Sequence, residues 1–184
     1  MKRLALLNRD GVINFASAEL IKSPDEWQLM EGVGEAIARL NQAGVICVVV
    51  SNQPGIGEEL FSLDQLMQIN IKMQRELAEY DAKVEFMLFC PHGPDIECDC
   101  RKPRPGLLLE AMERTGAKPK NTFFVGDSIQ DVQAALQAKI KPALVRTGNG
   151  EKTEAENHVD LEGVAVYDDL ADFVEYFLEQ TDHK

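Results

Sequence analysis

Five short, mostly apolar runs recur along the chain, Leu4–Leu7, Val45–Val50, Val84–Phe89, Asn121–Val125 and Lys141–Val145, with a helix-length segment between them. Strands alternating with helices in this way predict a mostly parallel sheet covered by helices on both faces. Val45–Val50 has no polar residue, as a strand buried on both faces requires. Parallel sheets bind ligands beyond the carboxyl ends of their strands. Three of the runs end in polar clusters, Asn8-Arg9-Asp10-Gly11, Ser51-Asn52-Gln53-Pro54-Gly55 and Gly126-Asp127-Ser128. Three strand tips are therefore expected to converge on one site.

Between the runs, Val33, Ile37 and Leu40 mark one face of a helix over Glu31–Asn41, with Gly44 as its stop. Leu66, Ile69, Met73 and Leu77 mark a longer helix over Leu63–Tyr80, with Ser62 as its N-cap. Further helices are expected over Leu107–Thr115, Ile129–Ala138 and Leu170–Leu178, and a short edge strand over Val164–Tyr167. Phe15–Trp27 has no sustained period and reads as a surface loop over the site, with a turn or helix start at Ser23-Pro24-Asp25.

A chain of 184 residues is expected to form a single domain, 1–184, with a core that needs no disulfides. No apolar run reaches membrane-spanning length, and residues 1–20 lack a signal-like segment, which together predict a cytoplasmic protein with no membrane partner. The formal charge of −12 argues against a nucleic-acid partner, and no aromatic-basic strip is visible along the sequence. A small anion is still admissible, because Arg9, Lys102 and helix N-termini create local positive sites. No excess apolar face stands out, so a monomer is expected.

Cys90, His92, Cys98 and Cys100 place three thiols and an imidazole within eleven residues. That donor set suits a closed tetrahedral Zn2+ site in a loop spanning 90–100, and four protein ligands leave no position for catalytic water. Cys47 stands alone in an apolar run and reads as a small core residue.

Asp10 and Asp127 follow strands that adjacency in the sheet would bring within reach of one Mg2+, an ion that takes oxygen ligands and phosphate. Aspartates at such positions also close turns and cap helices. Ser51 and Asn52 are placed to donate to a phosphoryl oxygen and Lys102 to neutralise it. Each has a plainer role available, as a turn cap, a loop-backbone partner or a surface cation.

The segments NRDGVIN, SNQPG, CRKPRPG and FFVGDSIQD resemble the four motifs of the haloacid dehalogenase-like phosphatases. Within that superfamily the chain is most similar to the bacterial D-glycero-D-manno-heptose-1,7-bisphosphate 7-phosphatases, and the likeness covers nearly its whole length. The resemblance implies a three-layer Rossmann-like α/β fold, a zinc-binding loop, and magnesium-dependent hydrolysis of a phosphomonoester through an aspartyl-phosphate. It implies a small-molecule sugar bisphosphate as substrate, in heptose supply for the cell envelope. Matched residue by residue, the nucleophile's position is Asn8 and the general acid and base is Asp10. Ser51, Asn52 and Lys102 bind the phosphoryl group, and Asp131 takes a supporting acidic position. Mg2+ falls to Asn8, Asp10 and Asp127. Arg101 and Arg104, beside the zinc loop, are expected to reach a second phosphate or the sugar.

Asn8 departs from that pattern. An amide has nearly the shape of a carboxylate, but its oxygen is a poor nucleophile and brings no charge to a metal. The second motif departs as well, with Pro54 for a serine and Glu58-Glu59 for an Arg-Gly pair. Two anions near a site for a doubly phosphorylated sugar repel it, and these changes together favour natural divergence. The expectation is a phosphatase scaffold that is nearly inactive. A histidinol-phosphate phosphatase and a non-catalytic phosphosugar-binding homologue are the alternatives.

Overall fold

The computed structural model describes residues 2–182; Met1, His183 and Lys184, which the single-domain span includes, lie outside the described residues. Six strands form one sheet: β1 (Arg3–Leu7), β2 (Val45–Asn52), β3 (Phe86–Cys90), β4 (Thr122–Gly126), β5 (Lys141–Val145) and β6 (Ala165–Tyr167). Their order is β3-β2-β1-β4-β5-β6, and every pairing is parallel. The chain steps outward from β1 through β2 to β3, then returns to pair β4 with the other side of β1. The order reverses between β1 and β4, and open parallel sheets hold their ligands at such a reversal.

Among the described residues, seven α-helices belong to this frame: α1 (Val33–Gln42), α2 (Pro54–Gly57), α3 (Leu63–Ala78), α4 (Gly106–Thr115), α5 (Ile129–Gln137), α6 (Gly150–Ala155) and α7 (Leu170–Asp182). Side chains alternate across a strand, and β1 shows the result. Ala5 and Leu7 join a core with Ile37, Leu40, Ile69, Met73, Phe173 and Val174 of α1, α3 and α7. Leu4 and Leu6 join a second core with Leu108, Ala111, Ala134 and Ala135 of α4 and α5. The sheet is thus the middle of three layers, as the alternating runs predict. No helix among the described residues is long and apolar enough to cross a membrane.

Two elements were not expected. α2 and α6 have four and six residues, too short for a helical period to register. α7 continues beyond the expected Leu178 to Asp182. β3 is displaced from Val84–Phe89 to Phe86–Cys90, because pairing with β2 runs from Val48↔Phe86 to Asn52↔Cys90. The strand therefore carries Cys90 to its very end. The Phe15–Trp27 segment is a loop with a single 3-10 turn at Pro24–Glu26, but it is anchored from within, since Ile21 and Trp27 are buried. Cys47 is fully buried, and burial pushes its thiol up to about 12, consistent with an unreactive core residue.

Local capping matches the sequence. Ser62 accepts from Gln65 N at 3.2 Å, and the Gln65 side chain accepts from Ser62 N at 2.8 Å. This reciprocal box satisfies two orphan amides at the start of α3. Ser62→Ala is expected to lower stability by about 1 kcal/mol, read as a lower urea midpoint at unchanged slope; an unchanged midpoint would show that the box contributes nothing.

Candidate active site

The parallel register sets Leu7 beside Val125, and Asn8 N donates to Val125 O at 2.9 Å. The residues just past these two strand ends, Asn8 and Asp127, are thereby forced together. Asn8 Nδ2 donates to Asp127 Oδ1 at 3.0 Å and to Asp10 O at 2.9 Å, while Asn8 Oδ1 accepts from Lys102 Nζ at 3.0 Å. Residues 119 and 94 positions apart thus meet on one amide.

Lys102 is 4% exposed and pairs with Asp131 Oδ1 at 2.6 Å; Asp131 is 2% exposed. The lysine also lies over the Phe124 ring at 5.3 Å. Asp131 does a second job as the third residue of α5, where its Oδ2 accepts from Ser128 N and Asp127 N and Ser128 Oγ accepts from Asp131 N. One oxygen of Asp131 thus caps α5 while the other pairs with Lys102.

Asp127 is 2% exposed, and burial, followed by the charge of Asp131, pushes its carboxyl up to about 6. Its Oδ2 accepts from Asn149 N at 2.9 Å. Gly11 and Gly148, both at positive φ, pack against that same oxygen, where a Cβ on either would collide with it. The glycines of the first motif and of the RTGNG turn are therefore the walls that seat the carboxylate.

Asp10 faces a different set of donors. Arg9 Nε and Nη2, Asn14 Nδ2 and Gln53 Nε2 supply its two oxygens at 3.0, 3.1, 2.9 and 3.1 Å. Arg9 and Asn14 are fully buried and Gln53 nearly so. Gln53 also donates to Ser51 Oγ at 2.7 Å. Asn52 accepts from Lys102 N at 3.1 Å and donates to Lys102 O at 3.2 Å, so its amide clamps the lysine backbone. The Asn52 side chain accordingly holds the lysine as well as lining the cleft.

Asn8, Asp10, Ser51, Asn52, Lys102, Asp127, Asp131 and Asn149 line one cleft of about 320 Å³, walled on one side by Ala16, Ser17, Leu20 and Ile21 of the loop. Arg101 and Arg104 are not among its walls. Arg101 donates to Gly93 O and Pro94 O at 2.5 and 2.7 Å, and Arg104 to Cys98 O at 2.6 Å. Both line a neighbouring cleft of about 350 Å³ along the cysteine loop. Asn14, Gln53 and Asn149 were not singled out from sequence, and Arg9 was marked only as a local cation. Arg9 and Gln53 lay inside polar clusters already marked; nothing local distinguished Asn149.

The four donors of the cysteine loop all lie within 4.8 Å of one another. Cys90 Sγ is 3.5 Å from His92 Nδ1 and 3.7 Å from Cys98 Sγ, and His92 Nδ1 is 3.2 Å from Cys100 Sγ. A tetrahedron with zinc–ligand bonds of about 2.0–2.3 Å has edges of about 3.3–3.8 Å, so the loop fits that ion. At the strand ends the fit to magnesium rests on charge. Asp127 and Asp131 set two carboxylates against the single Lys102 ammonium, leaving an excess negative charge amid oxygen donors.

Because the folded state holds the Asp127 proton more tightly than the unfolded chain, this group's contribution to stability is full below about pH 4 and is lost as pH rises through about 6. The loss amounts to about 3 kcal/mol. In magnesium-free buffer, Asp127→Asn should gain stability relative to the parent between those pH values. Denaturant titrations across the range check this; a difference independent of pH would contradict it.

Comparison with known proteins places this geometry. Residues 99–173 match the HAD-hydrolase-like family model. The chain is 44% identical over 178 residues to the D-glycero-beta-D-manno-heptose-1,7-bisphosphate 7-phosphatase of Bordetella bronchiseptica, covering 97% of this chain and 99% of that protein. It is 42% identical over 170 residues to the Pseudomonas aeruginosa protein of the same name, covering 92% and 94%. The B. bronchiseptica D,D-heptose 1,7-bisphosphate phosphatase, solved with magnesium and phosphate, superposes with a TM-score of 0.93 at 44% identity, over 98% of this chain and 99% of that one. The corresponding Burkholderia thailandensis structure gives a TM-score of 0.77 at 39% identity, over 96% and 99%. The chain belongs to the haloacid dehalogenase-like phosphatases, hydrolases of phosphoric monoesters.

Proposed function

We propose that this chain carries the active site of a D-glycero-D-manno-heptose 1,7-bisphosphate 7-phosphatase and that Asn8 leaves it able to bind the phosphate ester with almost no turnover. The observation that carries the reading is the position of Asn8, bridging Lys102 and Asp127 at the floor of the cleft. A phosphoryl group entering there meets the Lys102 ammonium and the Ser51 hydroxyl, which offset its charge. Asp10, held by Arg9, Asn14 and Gln53, is oriented to exchange a proton with the leaving oxygen. Asn8, Asp10 and Asp127 would hold the magnesium ion, which supplies charge neutralisation to the phosphoryl oxygens when bound. Asn8 cannot complete the attack. Its nitrogen lone pair is delocalised and its oxygen is neutral and already accepts from Lys102.

The cysteine loop would hold a structural zinc through Cys90, His92, Cys98 and Cys100, with Lys102 two residues past the last ligand. Arg101 and Arg104 would serve the distal phosphate or the sugar, in exchange for the loop carbonyls they now contact. Glu58 and Glu59 are exposed, and Glu58 borders Gly93 of that loop. They put negative charge beside the distal end of the substrate, which supports the reading of a divergent, non-catalytic homologue that still binds phosphosugar. We place the protein in the cytoplasm, as a monomer.

Two measurements test these readings. Asn8→Asp is expected to raise phosphate release from the heptose bisphosphate by about a thousandfold or more; no rise, or faster turnover of histidinol phosphate by the same variant, would overturn the assignment. Elemental analysis of the purified protein should find about one zinc per chain, lost in Cys100→Ser together with a fall in melting temperature. A metal-free parent with an unchanged melting point would remove zinc from the account.

A further inference from the structure

The amino ends of β1, β4 and β5 carry a feature that the phosphatase site does not use. Arg3 begins β1, Lys141 begins β5, and Lys120 and Asn121 immediately precede β4. These residues line a cleft of about 460 Å³ together with aromatic side chains of β4 and α7. A five-residue strand spans about 16 Å, so the cleft lies at the opposite edge of the sheet from Asn8 and Asp127. The sequence shows no aromatic-basic strip because these residues are scattered over the whole chain. The parallel sheet assembles one by aligning three strand starts.

Its chemistry is one-sided. None of the lining side chains is a carboxylate, in a chain with 31 acidic against 19 basic residues. None of Arg3, Lys120 and Lys141 forms an ion pair with a carboxylate among the described residues. Arg3 donates to the Ala43 carbonyl, and the two lysines are exposed. Asn121 adds a buried Nδ2 with no hydrogen-bond partner. The cationic and unpartnered groups are therefore donors, and what they lack is an acceptor of negative charge.

The apolar part is equally specific. Lys141 Nζ lies 5.3 Å over the Phe123 ring, and Arg3 lies 5.9 Å over Phe177. These contacts hold the cations at the rim without neutralising them. Tyr176 is 50% exposed at the cleft and offers an aromatic surface. Inorganic phosphate alone would leave the exposed Tyr176 ring uncovered, and a neutral aromatic molecule would leave the cations without an anion. A ligand that answers both carries a planar ring and a phosphate. The volume falls within the range of about 300–1,000 Å³ found for small-molecule sites.

We propose that this cleft binds a nucleotide, its base against the half-exposed ring of Tyr176 and its phosphate held by Arg3, Lys120 and Lys141. One cleft of this size takes a mononucleotide, and the net charge of −12 repels a longer polyanion. Base–aromatic stacking and phosphate–cation contacts each contribute, so removing either should weaken binding clearly. The site is separate from the phosphatase reading and its test needs no turnover.

Calorimetry with the whole chain and AMP, adenosine or inorganic phosphate is the experiment. AMP is expected to bind, and both Lys120→Glu/Lys141→Glu and Tyr176→Ala should weaken it about tenfold or more, while Lys152→Glu, at an exposed cation on α6 outside both clefts, leaves it unchanged. The substituted side chains are exposed, and matched melting curves verify the fold; if the double variant unfolds, Tyr176→Ala alone decides. No AMP binding up to millimolar concentration would overturn the proposal. So would AMP binding abolished by Ser51→Ala but untouched at the cleft. Adenosine binding as tightly as AMP, or phosphate binding as tightly with the same loss in Lys120→Glu/Lys141→Glu, would refute the nucleotide assignment.

Discussion

One buried ammonium set between two carboxylates and an amide organises the carboxyl edge of this sheet. Lys102, Asp127, Asp131 and Asn8 are all nearly or fully removed from solvent. Charges so placed are tolerated only when paired and hydrogen-bonded. Lys102 is therefore held from three directions, by Asp131 at 2.6 Å, by Asn8 at 3.0 Å and through its backbone by Asn52. Removing any one of these partners leaves a group stranded in low dielectric. The site is rigid for the same reason that it is polar.

That arrangement depends on distant parts of the chain arriving together. β1 delivers Asn8, β4 delivers Asp127, and α5 delivers Asp131 one helical turn later. Lys102 comes from none of these; it arrives on the segment leaving the cysteine loop. A metal held by the four clustered donors there would fix Cys100, and Asn52 at the end of β2 fixes the backbone two residues on. Arg101 and Arg104 tie back to Gly93, Pro94 and Cys98 and brace the same segment. The loop thus acts on the cleft through geometry, by limiting where one ammonium can go.

Much of this could be read before folding, and the part that could not has a common cause. Strand positions followed from apolar runs, because a strand buried on both faces must be apolar throughout. The start of α3 followed from Ser62, whose cap is satisfied within four residues. The cysteine loop followed because all its donors lie within eleven residues. By contrast, Gln53 reaches Asp10 across 43 positions and Asn149 reaches Asp127 across 22. Such partnerships leave no periodic or local trace. Arg101 and Arg104, expected to reach outward, donate to nearby loop carbonyls, a pairing that residue type alone does not announce. The cationic cleft at the other edge stayed invisible because strand alignment alone brings Arg3, Lys120 and Lys141 together.

Asn8 is best understood as part of this charge balance. Its Nδ2 hydrogens point at Asp10 O and Asp127 Oδ1, offering positive character where oxygens would otherwise face each other. A carboxylate in the same place would set a third acid beside Asp127 and Asp131 with only Lys102 to offset them. Like charges at such distances raise one another's pKa and destabilise the fold unless a cation intervenes. The amide therefore lets the folded site stand without a divalent ion. At this one position a neutral donor in place of a charge stabilises the folded site.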